Sequence, residues 1–445
     1  IIDRDHDSAT DVAAANIDLT AAGDIGSTVN PFDINLSNAS DAALTVSATG
    51  DVTIVETAGN LVLDSVSSTA GVVRLTATSG SIVDDDTDSS TDIAAGGAIL
   101  IASESLGSDA NPLETMLANL EASAGSGGIW IDNTGALTIG GISDTVGLTA
   151  AGPIMVTTFS PLTVTEDITS ADDIALTATD SGADNDDVVI ADGADITSSG
   201  GAITILAGDN VRIDAGTVVS ATGLVTILAD QGNADAGGGV VEINGIILAS
   251  AAVILGGDED DIITIDNIVT PTTVHAGGGN DTIYIGSNAT LVSNNDGNVN
   301  GIAALLVIDG GAGTDVLDVD DSADTAANTG TLTGTMLTGL GMTNGGIQYE
   351  DIENLAVKLG SGDDTFDIQG THTWTTTVNA GAGEDTINVQ TVSGNTTVNA
   401  GADNDVVNVG STAPTAGGVL DGIGALLSIT GDGGTDTVNL DDSAD

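Results

Sequence analysis

Seven aspartates in the second half of the chain occupy the same place in a recurring segment. Each follows a Gly-rich stretch and precedes a strand-like run, as Asp281 does in GGGNDTIYI. Carboxylates, and the carbonyls that Gly-rich turns can aim inward, are oxygen ligands of the kind that Ca²⁺ prefers. The pattern therefore predicts calcium sites in these turns, with the following aligned ligands: Asp261, Asp281, Asp315, Asp364, Asp385, Asp405 and Asp436.

Other acidic residues near these turns are further candidate ligands. The turn GADNDDVVI, with Asp184 and Asp186, resembles the turn of Asp405 and is a weaker candidate. In the alternative interpretation, Asp and Asn cap solvated turns by bonding the local backbone, and for the run Asp84–Asp86 a solvated loop is favoured. The additional candidates beside the aligned aspartates are Asp258, Asp260, Asp363 and Asp403.

The spacing of the aligned aspartates indicates which of them are stacked. Successive members are 20, 34, 49, 21, 20 and 31 residues apart. A spacing of 20 or 21 predicts one coil of a repeat, and the coil above would repeat the carboxylate about 4.8 Å away. We therefore expect Asp261 to stack with Asp281, and Asp385 with its neighbours Asp364 and Asp405. Asp315 and Asp436 are expected to be more isolated.

The residues after each aligned aspartate alternate between apolar and polar, which is typical of a strand with one buried face. Tyr284, Asn388 and Asn408 are predicted to point outward. A Thr-rich strand such as TTVNAG precedes several of the turns, and a coil of this size buries its apolar face only by stacking on neighbours. The predicted buried residues include Ile283, Leu317, Phe366, Ile387 and Val407.

The first half has similar short strands without the regular Gly/Asp turns. Residues Ala202 to Gly223 form a 22-residue unit with three strands, which favours a triangular β-helix. The segment Leu106 to Ala122 interrupts the rhythm and is interpreted as a short helix over Pro112 to Leu120. The predicted fold is all-β, an elongated right-handed parallel β-helix or β-solenoid with coils of about 20–22 residues. The prediction divides the chain into two regions, residues 1–255 without regular Gly/Asp turns and residues 256–445 with them. The chain is interpreted as part of a longer protein.

The amino-acid composition restricts the kinds of partner that the chain can bind. The 445 residues include 66 Asp and Glu, 4 Lys and Arg and no Cys, and the formal charge is −62. Four basic residues cannot supply the footprint that nucleic acid requires, and without cysteine there are no disulfides. No run of 18 apolar residues predicts a transmembrane helix. Repulsion at this charge density opposes folding unless salt or bound cations relieve it.

The turns resemble the RTX nonapeptide, G-G-x-G-x-D-x-U-x. GGAGTDVLD from Gly310 matches fully, and the segments from Ala276, Leu359 and Ala380 lack only the first Gly. This resemblance implies a calcium-binding β-roll, although the motif occurs once per coil here, so only one edge should bind. Strings of the first half such as GGIWIDNTGALTIGG resemble the β-helical shaft of filamentous-haemagglutinin-type exoproteins.

Together the two resemblances imply a secreted bacterial surface protein, a calcium-stabilised segment of a large adhesin or of an extracellular fibre or matrix. The expected partners are calcium ions, like chains or neighbouring repeats, and cell-surface glycans. A surface-layer or filament subunit is the alternative within this class. A carbohydrate-active β-helix enzyme, such as a lyase or epimerase, is the alternative of another class. It is disfavoured because the basic residues are scattered, and we expect a non-enzymatic protein.

Overall fold

The computed structural model describes residues 1–2, 7–36, 42–143, 147–182, 185–232 and 237–445. These residues form β-strands joined by turns and contain no helix, so none that could cross a membrane. The chain divides into two compact units, which we describe separately. The first comprises residues 1–225 and 231–235, and the second comprises residues 226–230 and 236–445. The predicted onset of regular Gly/Asp turns near residue 255 lies within the second unit.

The strands of the first unit are short. They are β1 (Val12–Ala14), β2 (Asn16–Ala21), β3 (Phe32–Leu36), β4 (Ala43–Ala48), β5 (Val52–Glu56), β6 (Leu61–Ser68), β7 (Val72–Ala77), β8 (Ile82–Asp84), β9 (Ile93–Ala102), β10 (Ser105–Leu106), β11 (Leu113–Ala124), β12 (Gly128–Asn133), β13 (Leu137–Ile139), β14 (Leu148–Ala150), β15 (Ile154–Thr158), β16 (Leu162–Val164), β17 (Ile168–Ser170), β18 (Ile174–Ala178), β19 (Val188–Ile190), β20 (Ile196–Ser198), β21 (Ile203–Ala207), β22 (Asn210–Ile213) and β23 (Val218–Ala221), with β24 (Leu224–Leu228) containing the division point.

The strands of the second unit are similar in length. They are β25 (Val240–Ile243), β26 (Ile246–Leu248), β27 (Ala251–Gly257), β28 (Ile262–Ile265), β29 (Thr272–Gly278), β30 (Thr282–Ile285), β31 (Ala289–Thr290), β32 (Ser293–Asn294), β33 (Leu305–Ala312), β34 (Val316–Asp320), β35 (Thr329–Leu332), β36 (Met336–Gly339), β37 (Gly346–Glu350), β38 (Asn354–Lys358), β39 (Thr365–Ile368), β40 (Thr375–Asn379), β41 (Thr386–Val389), β42 (Thr396–Asn399), β43 (Val406–Val409), β44 (Leu427–Thr430) and β45 (Thr437–Leu440).

Parallel pairing between repeats organises the first unit. From β12 onward each strand pairs with the third strand after it, so that β12, β15, β18 and β21 form one stack. The strands β13, β16, β19 and β22 form a second stack. The strands β14, β17, β20 and β23 form a third. The three-strand repeat predicted for Ala202 to Gly223 is confirmed as β21, β22 and β23.

The same pairing organises the second unit, where one long stack contains β28, β30, β34, β38, β40 and β42. A second stack contains β39, β41, β43 and β45 and begins beside β35. The strand that follows Asp315 therefore lies in the stack that later holds the Thr-rich strands. The aligned turns thus move to another corner of the repeat between Asp315 and Asp364.

Alternation along each strand fills the interior with aliphatic side chains. Ile283, Leu317, Phe366 and Ile387 are fully buried and Val407 nearly so, as predicted. On the opposite face Tyr284 and Asn408 are half-buried, as expected for outward positions. Asn388 lies in register with Asn408 on the outward face, as predicted, but it is only 2% exposed because neighbouring side chains cover it. Its side-chain amide donates to Asp367, and it accepts a hydrogen bond from Asn408, which covers it.

The helix predicted over Pro112 to Leu120 is wrong, because residues Leu113 to Ala124 form β11. This strand pairs in parallel with β9 over eight residue pairs and also contacts β12, β13 and β14. Leu113, Leu117 and Leu120 face the interior and are at most 3% exposed. Backbone bonds to neighbouring repeats thus outweigh the helix propensity of Leu, Glu, Met and Ala.

Candidate metal site: two aspartate ladders

The aligned aspartates lie directly before the strands of the second unit and are buried. Asp281, for example, precedes β30 and is 1% exposed, and Asp315 precedes β34 and is fully buried. Asp436 is the only member that is half-buried. The interpretation of these residues as caps of solvated turns is therefore wrong for the six buried members, which are at most 2% exposed: Asp261, Asp281, Asp315, Asp364, Asp385 and Asp405.

The first three aspartates form a ladder of hydrogen bonds between repeats. The backbone N–H of Asp261 donates to Oδ1 of Asp281 at 2.8 Å, and the N–H of Asp281 donates to Oδ1 of Asp315 at 2.8 Å. The ladder continues at both ends, since the N–H of Gly239 donates to Asp261 and the N–H of Asp315 donates to Oε2 of Glu353. We call this set the first ladder.

The remaining aspartates form a second ladder with the same geometry. The N–H of Asp364 donates to Oδ1 of Asp385 at 2.7 Å, and that of Asp385 donates to Oδ1 of Asp405 at 2.9 Å. The N–H of Asp405 donates to Oδ1 of Asp436 at 3.1 Å, and the N–H of Asn328 donates to Oδ1 of Asp364 at 2.7 Å. Each carboxylate in the two ladders thus bonds the backbone of the preceding repeat.

The expected isolation of Asp315 and Asp436 is wrong. Asp315 lies between Asp281 and Glu353, and Asp436 lies next to Asp405. The 34-residue spacing before Asp315 arises because the chain leaves the stack after β30, forms the antiparallel pair β31–β32 and returns to β33. The repeat that carries Asp315 nevertheless stacks directly on that of Asp281, because β30 pairs with β34.

The second carboxylate oxygen lacks a hydrogen-bond partner in most members of the two ladders. In the described part of the chain, Oδ2 is buried and accepts no hydrogen bond in five members, whereas Oδ2 of Asp364 accepts a bond from Gly360 at 3.3 Å. A buried, unsatisfied carboxylate oxygen is costly, so such a group is expected to hold a proton or a cation. The five members are Asp261, Asp281, Asp315, Asp385 and Asp405.

The pKa values reflect the same burial. Desolvation raises the pKa of Asp261, Asp281 and Asp385 to about 7, although the backbone hydrogen bonds oppose the shift. Like charge on neighbouring repeats adds to it, from Asp261 and Asp315 on Asp281, for example. A bound cation would reverse these effects, because it replaces the lost hydration and neutralises the stacked charges.

The glycines of the turns bring the backbone of successive repeats close together. Gly277 has φ +116°, and a Cβ at this position would lie 1.9 Å from the carbonyl oxygen of Gly257 in the preceding repeat. Gly401 has φ +101° and a similar approach to the carbonyl oxygen of Gly381. No group of three side-chain ligands lies within 4.8 Å at either ladder among the described residues. An ion here would therefore need backbone carbonyls beside the carboxylates, which suits Ca²⁺.

The other predicted ligands lie outside the ladders. Asp258, Asp260, Asp363 and Asp403 are exposed on the turns. Asp260 accepts a bond from the N–H of Asn280 at 2.6 Å, and Asp363 accepts one from Glu384 at 2.9 Å. These two side chains therefore bond the neighbouring repeat from the solvent side of the turn.

The weaker candidate turn of the first unit is satisfied by its own residues. Asp186 is 3% exposed, and its Oδ2 accepts bonds from both the N–H and the hydroxyl of Ser181. The side chain of Asp186 thus bonds the local backbone, as the alternative interpretation describes, but it is buried rather than solvated, and its N–H donates to Oδ2 of Asp209 in the next repeat at 2.6 Å. Asp184 lies outside the described residues.

One acidic cluster of the first unit was not found from the sequence. Carboxylate oxygens of Asp84, Asp92 and Glu114 lie within 4.8 Å of one another. Asp92 is 2% exposed, burial raises its pKa to about 9, and its Oδ2 accepts the N–H of Glu114 at 2.9 Å. The only signal of this cluster in the sequence is the offset of 22 residues between Asp92 and Glu114, which corresponds to one repeat. Asp85 and Asp86 are exposed, as expected for that loop, whereas Asp84 is half-buried and belongs to the cluster, so the solvated-loop interpretation is wrong for Asp84.

The basic side chains of the described residues are each paired and lie apart in the sequence. Arg74 contacts Asp51 at 3.6 Å, Arg212 contacts Asp214 at 2.9 Å and Lys358 contacts Asp318 at 2.9 Å. His275 is exposed and lies 3.2 Å from Asp309, and burial lowers the pKa of His372. Arg4 and His6 lie outside the described residues.

Comparison of the chain with protein-family models, with curated proteins and with solved structures gives no match. The arguments for function therefore depend on the ladders, the parallel stacks and the charge of this chain.

Proposed function

We propose that the chain is a calcium-stabilised, right-handed parallel β-solenoid that acts as a non-enzymatic structural segment of a bacterial surface adhesin or extracellular fibre. The observation that carries the proposal is the pair of ladders in which five buried carboxylate oxygens have no partner. They recur on repeats whose strands pair in parallel, so that sites of similar geometry follow one another along the stack.

The solenoid is supported by the pairing pattern. Strands pair in parallel with strands two or three places later, and their partners keep the inward and outward alternation. A parallel connection of this kind is almost always right-handed in proteins. Each repeat adds one layer of Ile, Leu and Val to the interior, so every repeat is stabilised by the next.

Calcium is favoured over a proton as the occupant of the ladders for two reasons. The chain carries a charge of −62, and each bound Ca²⁺ would remove two charges where carboxylates are stacked. A pKa of about 7 also means that protons only partly occupy the ladders at neutral pH. At the millimolar calcium of extracellular fluids, even a modest affinity would fill the sites.

The extracellular location and the structural role follow from this dependence and from the resemblance of the turns to RTX repeats. A chain that needs calcium to neutralise its ladders stays less folded where calcium is scarce and becomes rigid outside the cell. A catalytic role is disfavoured, because Arg74, Arg212 and Lys358 are each neutralised by an aspartate of their own. Like chains and cell-surface glycans remain the proposed partners.

Calorimetric titration of the metal-free protein with CaCl₂ tests the proposal. We expect saturable binding with several ions per chain, together with a rise in melting temperature. The Asp385→Asn variant should bind fewer ions, because Asp385 lies between Asp364 and Asp405. Asp421→Asn is the matched control, since it removes one exposed charge in the same unit. Equal binding by the two variants, or no binding by the parent protein, would exclude the ladders as calcium sites.

A further inference from the structure

The outer surface of the first unit contains a groove of about 470 Å³ that is independent of the ladders. Its floor is formed by outward side chains of β12, β15 and β18, and one wall by Asp109 and Pro112, which precede β11. The groove therefore lies where the segment before β11 borders the parallel stack of β12, β15 and β18.

The depression in the floor results from a gradient of side-chain size across three paired strands. Trp130, Met155 and Ala175 are in register, so that the largest side chain lies at one side and the smallest at the other. The indole Nε1 of Trp130 donates to the carbonyl oxygen of Gly127 at 3.0 Å, which restricts the rotation of the ring. The result is a pre-oriented aromatic surface beside an open space.

The polar side of the floor is acidic. Asp132, Thr157 and Thr177 form the next register line, and Asp132 is half-buried. Burial raises the pKa of Asp132, and a hydrogen bond with Thr157 opposes the shift. Asp109 adds a second carboxylate at the rim, and the lining contains no basic residue.

No basic side chain of the described residues is available to neutralise Asp132. Arg74, Arg212 and Lys358 are already paired with Asp51, Asp214 and Asp318. A partly desolvated carboxylate in a chain of charge −62 therefore favours a cation supplied from outside. Trp and Met beside it favour an organic cation with an apolar stem over a hydrated metal ion, because aromatic rings attract cations and sulfur is a poor ligand for hard ions.

We propose that this groove binds an arginine side chain of a partner protein. The planar guanidinium stacks on Trp130 and donates hydrogen bonds to Asp132, while its methylene stem lies over Met155 and Ala175. Arginine suits the site better than lysine, because its delocalised, weakly hydrated charge both stacks and forms directed bonds to a carboxylate. The groove would thus let the acidic surface recognise a basic partner at a defined point.

Fluorescence of Trp130 tests this proposal in a Trp374→Phe background, where Trp130 is the only tryptophan. The probes are Nα-acetyl-arginine amide, its neutral isostere Nα-acetyl-citrulline amide and methyl glucoside, at constant ionic strength and calcium. We expect the fluorescence of Trp130 to change saturably with the concentration of the arginine probe. The citrulline probe should associate at least tenfold more weakly. Equal association of the two, or preferential binding of the glucoside, would overturn the proposal.

Two variants distinguish the groove from general attraction to an acidic surface. Asp132→Asn should weaken association of the arginine probe about tenfold, whereas Asp192→Asn, which removes an exposed charge of the same unit, should leave it unchanged. Ala175→Leu fills the depression from an outward position and should abolish binding with an unchanged circular dichroism spectrum. Equal weakening by the two aspartate variants, or normal binding by Ala175→Leu, would contradict a specific site.

Discussion

Two sets of buried turns, one in each unit, connect successive repeats with different side chains. In the first unit the hydroxyl of Ser170 donates to the carbonyl of Gly152 and accepts the N–H of Asp172. Ser198 likewise donates to Asp172 and accepts from Gly201. In the second unit the bond between repeats is made by carboxylates such as that of Asp281, which accepts the N–H of Asp261 and has no proton to donate when it is ionised.

This difference has a simple physical origin. A hydroxyl is both donor and acceptor, so a buried serine satisfies its own polar groups within the protein. An ionised carboxylate only accepts, so the second oxygen of a ladder aspartate needs a partner from outside the chain. The serine-linked repeats of the first unit are therefore expected to be stable without metal ions, whereas the ladders of the second unit depend on protons or metal ions. The buried cluster of Asp84, Asp92 and Glu114 is the part of the first unit that shares this dependence.

The largest expected effect comes from Asp281→Asn. The amide keeps an acceptor for the N–H of Asp261 and removes the buried charge, so the calcium-free protein should be at least as stable as the parent. With calcium at 100 times Kd, the variant should lose about 2.7 kcal/mol of stabilisation for each site that it destroys, and about 5 kcal/mol when the interfaces with Asp261 and Asp315 both bind calcium. Urea unfolding with and without calcium measures both values; an unchanged response to calcium would contradict the ladder as its site.

The part of the pH dependence that calcium removes should come from the second unit. Asp261, Asp281 and Asp385 have a pKa of about 7 in the folded chain against an ordinary value of 3.8. The folded state binds more protons than the unfolded state between these values, so calcium-free stability should fall as pH rises from about 4 to about 7. Asp92 of the first unit, with a pKa of about 9, adds a fall that continues to about pH 9, and saturating calcium should remove only the part that the ladder aspartates contribute. Melting temperatures at several pH values test it, and a rise in calcium-free stability over this range would contradict the raised pKa values.

The smallest effect is expected from Ser170→Ala in the first unit. Loss of its two hydrogen bonds should cost about 1–3 kcal/mol, because the carbonyl of Gly152 and the N–H of Asp172 lose a partner. The cost should be the same with and without calcium. Urea unfolding in both conditions checks this, and a cost that changes with calcium would remove the distinction between the two units.

Local patterns were sufficient to predict much of the second unit. Alternation after each Gly/Asp turn correctly placed Phe366 and Ile387 in the interior, since inward and outward positions follow from strand geometry alone. The turns were also located correctly. Their burial was not predicted, because it depends on the backbone of the neighbouring repeat, which the sequence of a single turn does not contain.

The wrong predictions also have their cause in contacts with other repeats, which the sequence of a single segment does not contain. The segment Leu113–Ala124 has the composition of a helix, and its pairing with β9 decides its structure. Asp315 was expected to be isolated because an excursion lengthens the sequence between repeats that are adjacent in the fold. The cluster of Asp84, Asp92 and Glu114 is assembled from three separated segments, so no local motif marks it.

Amide hydrogen exchange of the whole chain, measured by mass spectrometry with calcium and with EGTA at pH 7.5 and low ionic strength, tests the central claim most directly. We predict that EGTA strongly reduces protection of peptides that contain β28, β30, β39, β41 and β43, which follow the ladder aspartates, and leaves β15 to β21 nearly unchanged. Equal protection of both units without calcium would contradict the claim that the ladders require a cation.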